Sequence, residues 1–92
     1  MFFRILEKAD GVQTALLELG PGETSAQLDN VHPASLRRVV VLRGTIEAEI
    51  GDVRVCMHEG DTAVVRRGAE HRFTGASDTD AVMLHFYAVP KE

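Results

Sequence analysis

Apolar and polar residues alternate in short runs along the whole chain, and each run is closed by glycine, asparagine or aspartate. No window sustains the three-to-four residue spacing of an amphipathic helix, so the pattern predicts strands throughout. Phe2–Glu7 reads as a strand, Asp10-Gly11 as a turn, and Val12–Leu19 as a second strand. Gly20-Pro21-Gly22-Glu23 then breaks the chain. Thr24–Leu28 is expected to be a third strand, followed by the polar loop Asp29-Asn30-Val31-His32-Pro33, where Pro33 disfavours helix at the residue before it. Ser35–Arg43 carries the strongest strand signal, and Gly44 permits a reversal into Thr45–Ile50, with Ile46, Ala48 and Ile50 on one face and Glu47 and Glu49 toward water. Gly51-Asp52 is a two-residue hairpin turn. It leads to a strand with Val53, Val55 and Met57 on one face and Arg54, Cys56 and His58 on the other.

A turn at Glu59-Gly60-Asp61 feeds Thr62–Val65, and Gly68 reverses the chain into a strand carrying His71 and Phe73 on one face, since strand side chains repeat every two residues. After a loop of small and acidic residues, Gly75–Asp80, the last strand, Ala81–Val89, is apolar on both faces: Val82, Leu84 and Phe86 on one, Met83, His85 and Tyr87 on the other. Such a strand must be covered twice, in a middle layer or at a subunit contact. Eight or nine strands at this spacing predict an antiparallel sandwich or barrel.

Ninety-two residues provide one domain, spanning 1–92, with a limited core that association would help to stabilise. Net charge is -4, which gives no global attraction to nucleic acid or acidic membranes. Arg37, Arg38, Arg43, Arg66, Arg67 and Arg72 nevertheless fall in two short segments, either as solvated strand ends or as a local anion site. The single cysteine, Cys56, is expected to be a half-buried strand residue in a reducing compartment. The first ten residues carry Arg4, Glu7, Lys8 and Asp10 and lack a signal-peptide core. The longest aliphatic run, Val39–Leu42, is far short of the roughly 20 residues that span a bilayer. A cytoplasmic location is expected.

The residues then show a resemblance. Gly60, Arg66, Gly68, His71 and Gly75 fall on the second motif of the cupin superfamily, Gly-x5-Pro-x-Gly-x2-His-x3-Asn, with Arg66 in the proline place and Gly75 in the asparagine place. Counting back from Gly44 along the first motif, Gly-x5-His-x-His-x3-4-Glu-x6-Gly, puts Arg37 in the glutamate place, His32 in that of the second histidine and Asn30 in that of the first. Pro21-Gly22-Glu23 resembles the family's lead-in, and Val39–Thr45 its central strand and turn. The resemblance covers almost the whole chain and implies an all-β antiparallel jelly-roll barrel, paired as a homodimer.

Typical members bind one divalent metal inside the barrel through the two histidines, the glutamate and the later histidine. His32 and His71 occupy such positions here, but Arg37 sets a permanent cation where a carboxylate would neutralise the metal. His85, should its face be the inner one, would complete a three-histidine set with His32 and His71 for iron, manganese, nickel or zinc. Without a metal, Asn30, His32, Arg37, His71 and Tyr87 would converge on a small polar or anionic molecule, with Arg37 as a bidentate grip. Arg37 lying at the barrel mouth and reaching solvent is the bland alternative. Three functional expectations follow: a small-molecule-binding barrel; a metal-dependent enzyme of the dioxygenase or isomerase kind using His32 and His71 with His85 or Asn30; and a structural or regulatory module. Whether the chain is an enzyme is left open by the sequence.

Overall fold

The computed structural model describes residues 1–25 and 36–88. Eight strands run through these residues: β1 Phe2–Ala9, β2 Val12–Leu19, β3 Arg37–Arg43, β4 Ile46–Ile50, β5 Val53–Met57, β6 Thr62–Val65, β7 His71–Gly75 and β8 Ala81–Ala88. They form a five-stranded sheet in the order β1-β2-β8-β3-β6 and a three-stranded sheet in the order β5-β4-β7, with every neighbouring pair antiparallel. The expected strands are present with small shifts at their ends. The first strand runs on to Ala9 through an irregularity between Ile5 and Glu7, and Asp10 and Gly11 both take positive φ in the turn that follows. Such a turn matches the twist of a hairpin.

The expected third strand shrinks to a bridge between Thr24 and Thr74 among the described residues; Ala26, Gln27 and Leu28 lie outside them. What the segment contributes is a crossover. Residues 22–25 leave the first sheet and run along the outer edge of β7, where Gly22 N–H donates to the Gly75 carbonyl (2.8 Å), Gly75 N–H to the Glu23 carbonyl (2.9 Å) and Ser25 N–H to the Phe73 carbonyl (2.8 Å). The buried Ser25 hydroxyl accepts in turn from Phe73 N–H (2.9 Å). One chain segment thereby ties both sheets together.

The core lies between the sheets. Leu17 and Leu19 from β2, Val39 and Val41 from β3, Met83 from β8 and Val65 from β6 pack against Ile46 and Ala48 from β4, Met57 from β5 and Phe73 from β7. The last strand, apolar on both faces, is in the middle of its sheet between β2 and β3. Its Met83, His85 and Tyr87 face inward and are buried, whereas Leu84 and Phe86 are half-buried on the outer face.

One expectation is corrected and, of two readings of one residue, the solvent-reaching one is overturned. Cys56 is exposed rather than half-buried, because β5 is an edge strand of its sheet and is exposed from Val53 to Cys56. Arg37 does not reach solvent from a barrel mouth: its side chain is on the inward phase of β3 with Val39 and Val41, and the residue is only 5% exposed. The other five clustered arginines are exposed, as solvated positions should be.

The backbones of the two sheets come close together where β2 ends. A Cβ placed on Gly75 would fall well inside van der Waals contact with the Gly20 carbonyl oxygen and 3.0 Å from that of Leu19. Backbone cannot swing aside as a flexible side chain does. Gly75→Ala is therefore expected to destabilise the fold by about 1–3 kcal/mol, the usual range for overpacking, as measured by urea unfolding. An unchanged midpoint would mean that β2 and β7 separate without cost.

Candidate functional site

Strand register grades the interior from apolar to polar. Reading along β8, Ala81 is beside Leu19, and Met83 is flanked by Leu17 and Val41. His85 follows, flanked by Ala15 and Val39, and then Tyr87, flanked by Gln13 and Arg37. In the opposite sheet the inward positions of β7 run from Gly75 through Phe73 to His71. Both sheets therefore bring their polar inward side chains to the same region, linked by Phe73. Its ring is 5.4 Å from that of His85, edge to face, and 5.7 Å from that of His71.

Arg37 and His85 are the centre of this region. An Arg37 terminal nitrogen approaches His85 Nδ1 at 3.3 Å, and the guanidinium carbon stands 4.7 Å above the centre of the Tyr87 ring. A buried cation is costly unless something replaces its water, and an aromatic face does part of that. The Tyr87 hydroxyl accepts from Gln13 Nε2 at 2.5 Å, which fixes the ring beneath the guanidinium. The pattern held a signal for Gln13 that the site assignment missed: it is a polar residue on the otherwise apolar phase of Ala15, Leu17 and Leu19.

The hydrogen-bond partners decide where each imidazole carries its proton. His71 Nδ1 is 3.3 Å from the Ala69 carbonyl oxygen, which can only accept, so Nδ1 holds the hydrogen. In the neutral ring Nε2 then keeps the lone pair. His85 is the reverse, because a guanidinium can only donate and Nδ1 must accept. Burial, then the positive charges of Arg37 and His71, push the His85 pKa down to about 3. His85 is thus neutral at pH 7, with its hydrogen on Nε2.

Of the six expected site residues, Arg37, His71, His85 and Tyr87 line this interior. Asn30 and His32 lie outside the described residues. His58, expected to be a solvated strand-end residue, is exposed near Cys56 and Thr45. Among the described residues no three His, Cys, Asp or Glu side chains converge as a metal-binding group. The donor chemistry agrees: His85 offers no lone pair while Nδ1 accepts from Arg37, and the guanidinium puts a fixed positive charge beside the ring. The described residues do not fit a divalent metal.

Both the sequence and the fold have known counterparts. The family model described as "Cupin domain" matches residues 15–87. No curated protein matches significantly. The crystal structure of TT1209 from Thermus thermophilus superposes with a TM-score of 0.85 at 23% identity, over 96% of this chain and 82% of that one. KdgF from Halomonas sp. superposes at 0.84 with 13% identity, over 97% and 80%. A recombinant oxalate oxidase in complex with glycolate gives 0.77 at 22% identity, over 85% of this chain and 42% of that one. At these identities the likeness is one of fold, the double-stranded β-helix.

The depressed His85 pKa has a consequence for stability. The unfolded histidine, with a pKa of about 6.5, takes up a proton between pH 6.5 and 3 that the folded one refuses. Its contribution to stability is thus intact above pH 6.5 and lost as pH falls through that window. Between pH 7 and pH 5 the loss is expected to be about 2 kcal/mol. Urea melts of the wild type and of His85→Leu measure it; equal acid sensitivity in both would refute the assignment.

Proposed function

We propose, from the premise that the chain belongs to the cupin domain family, that its barrel binds a small polar or anionic molecule against Arg37, His71 and Tyr87. The observation that carries the reading is the guanidinium of Arg37, held inside the barrel on the Tyr87 ring and against His85 rather than at the surface. A permanently charged fork with planar donors suits a carboxylate, a phosphate or a polyol. Asn30 and His32 are proposed as further lining residues, from the family motif. The glycolate in the oxalate oxidase structure is a small hydroxy acid held by a protein of this fold, which makes such acids a natural first choice of ligand. A metal-dependent enzyme is the weaker reading, since Arg37 stands where the family carries its carboxylate. The exposed thiol of Cys56 suits the cytoplasm, where thiols stay reduced. No helix among the described residues is long and apolar enough to cross a membrane.

Melting-temperature shifts with a panel of small acids, sugars and phosphates test the reading. At least one is expected to raise the melting temperature of the wild type. Arg37→Met keeps most of the side chain's bulk but leaves the buried His85 Nδ1 without its donor, a cost of about 1–3 kcal/mol, so each ligand-induced shift is read against the variant's own melting temperature. The variant should lose the ligand-induced shift. Stabilisation that survives unchanged in Arg37→Met, or no stabilisation by any compound, sinks the proposal.

We further propose a second copy of this chain as the partner. The support is the outer face of the five-stranded sheet, where Leu16, Leu84 and Val40 stand in register across three strands, all half-buried, with Phe86 next to them. A self-complementary sheet face suits a two-fold dimer. Light scattering after size exclusion is expected to give a dimer for the wild type and a monomer for Leu84→Lys. A monomeric wild type removes the proposal.

A further inference from the structure

We infer that the two-fold axis of the dimer runs along β8, so that Arg43 on β3 of each copy meets Glu18 on β2 of the other. This rests on the second-copy reading above and deepens it, by naming the arrangement and the charges that select it. The outer face of the five-stranded sheet is ordered in rows about β8. In one row Glu18 and Arg43 flank Val82; in the next, Leu16 and Val40 flank Leu84; in the third, Thr14 and Arg38 flank Phe86, with Glu7 on β1 beside Thr14. These positions alternate with the buried, inward ones of β2 and β3. The charges turned outward on the two strands that flank β8 are therefore opposite: glutamate on β2, arginine on β3. None of Glu7, Glu18, Arg38 and Arg43 forms an ion pair among the described residues, where the carboxylates that do so are those of Glu23, Glu47 and Glu49.

Two faces of this kind, closed by a two-fold with their strands aligned as packed sheets commonly are, can meet in two ways. With the axis across the strands, β3 lies on the partner's β3 and β2 on the partner's β2. Wherever such a contact is centred, arginine is brought toward arginine, with no acidic side chain on the outward phase of β3 to offset the repulsion. With the axis along β8, β3 of each copy lies on β2 of the other. A pure rotation carries no shift along its axis, so each row meets the same row of the second copy. Arg43 then comes over the partner's Glu18, and Arg38 over the partner's Thr14, next to the partner's Glu7. Between these rows Leu84 meets the partner's Leu84, and Val40 the partner's Leu16. The face is complementary to itself in charge only in this arrangement.

The choice of axis also fixes where the two interiors stand. Rotation about β8 leaves the ends of the strands in place, so the polar ends that carry Arg37 and Tyr87 lie side by side at one end of the dimer. A two-fold across the strands would send them to opposite ends.

Charge reversal tests the arrangement, read by light scattering after size exclusion and by native mass spectrometry of mixtures. Glu18→Arg and Arg43→Glu are each expected to raise the dimer dissociation constant roughly ten- to a hundredfold, since each turns two attractions into two repulsions. Mixed in equal amounts, the two variants should pair with each other at near wild-type affinity: the two reversed side chains meet at one contact and the native pair re-forms at the other. Glu18→Gln and Arg43→Gln keep the shape of the face and guard against a reversal that fails to fold; each should remove most of the salt dependence of dissociation. A dimer indifferent to the reversals, variants that do not rescue each other on mixing, or salt dependence that persists in both glutamine variants overturns the inference and leaves the second-copy reading standing. A monomeric wild type removes both.

Discussion

A guanidinium that cannot give up its proton lies inside a small barrel, and the rest of the interior is arranged around that constraint. A buried lysine or histidine relieves the cost of burial by becoming neutral, but arginine has no such exit. What surrounds Arg37 is therefore a set of replacements for water: the face of Tyr87, braced by Gln13, and the lone pair of His85. Each is an inward side chain in register with Arg37 or one layer away. The imidazole is drawn into the same arrangement, since its low pKa follows from burial and from the cation beside it.

That constraint separates this barrel from the metal-binding pattern it resembles. A metal site needs carboxylate charge and imidazole lone pairs directed at one point. Here a permanent cation, Arg37, lies among the inward side chains, and the histidine on β8 turns its Nδ1 lone pair toward it. Among the described residues of this interior, His71, with Nδ1 anchored to the Ala69 carbonyl, keeps the tautomer a metal ligand would need. The fold is shared with the solved structures that this chain matches.

Much of the architecture was legible from period-two alternation and turn glycines, because both are local. The β-strand phases of Ile46–Ile50 and of His71 with Phe73 follow directly from the alternation. The site was legible only in part. His85 lies on a strand that is apolar on both faces, where periodicity cannot choose a side, and its orientation is settled by register with β2 and β3. For Arg37 the sequence left the interior and the solvent equally open, because long cationic side chains usually reach water; the tertiary contact with Tyr87 overrides that habit. Cys56 failed for a simpler reason: β5 is an edge strand exposed from Val53 to Cys56, which a residue's ordinary preference for burial does not reveal. The tautomers were beyond any sequence reading, since they depend on which atom each ring nitrogen faces.

The close approach of Gly75 to the Gly20 carbonyl acts as the heel of a pair of tweezers. At that end the spacing between the sheets is set by main chain against main chain, so no rotamer change can widen or narrow it. At the other end the same sheets are held apart by Arg37, His85, Phe73 and His71, whose rotamers are adjustable. Any adjustment of the spacing between the sheets is thus left to the polar end, while the apolar end keeps one geometry.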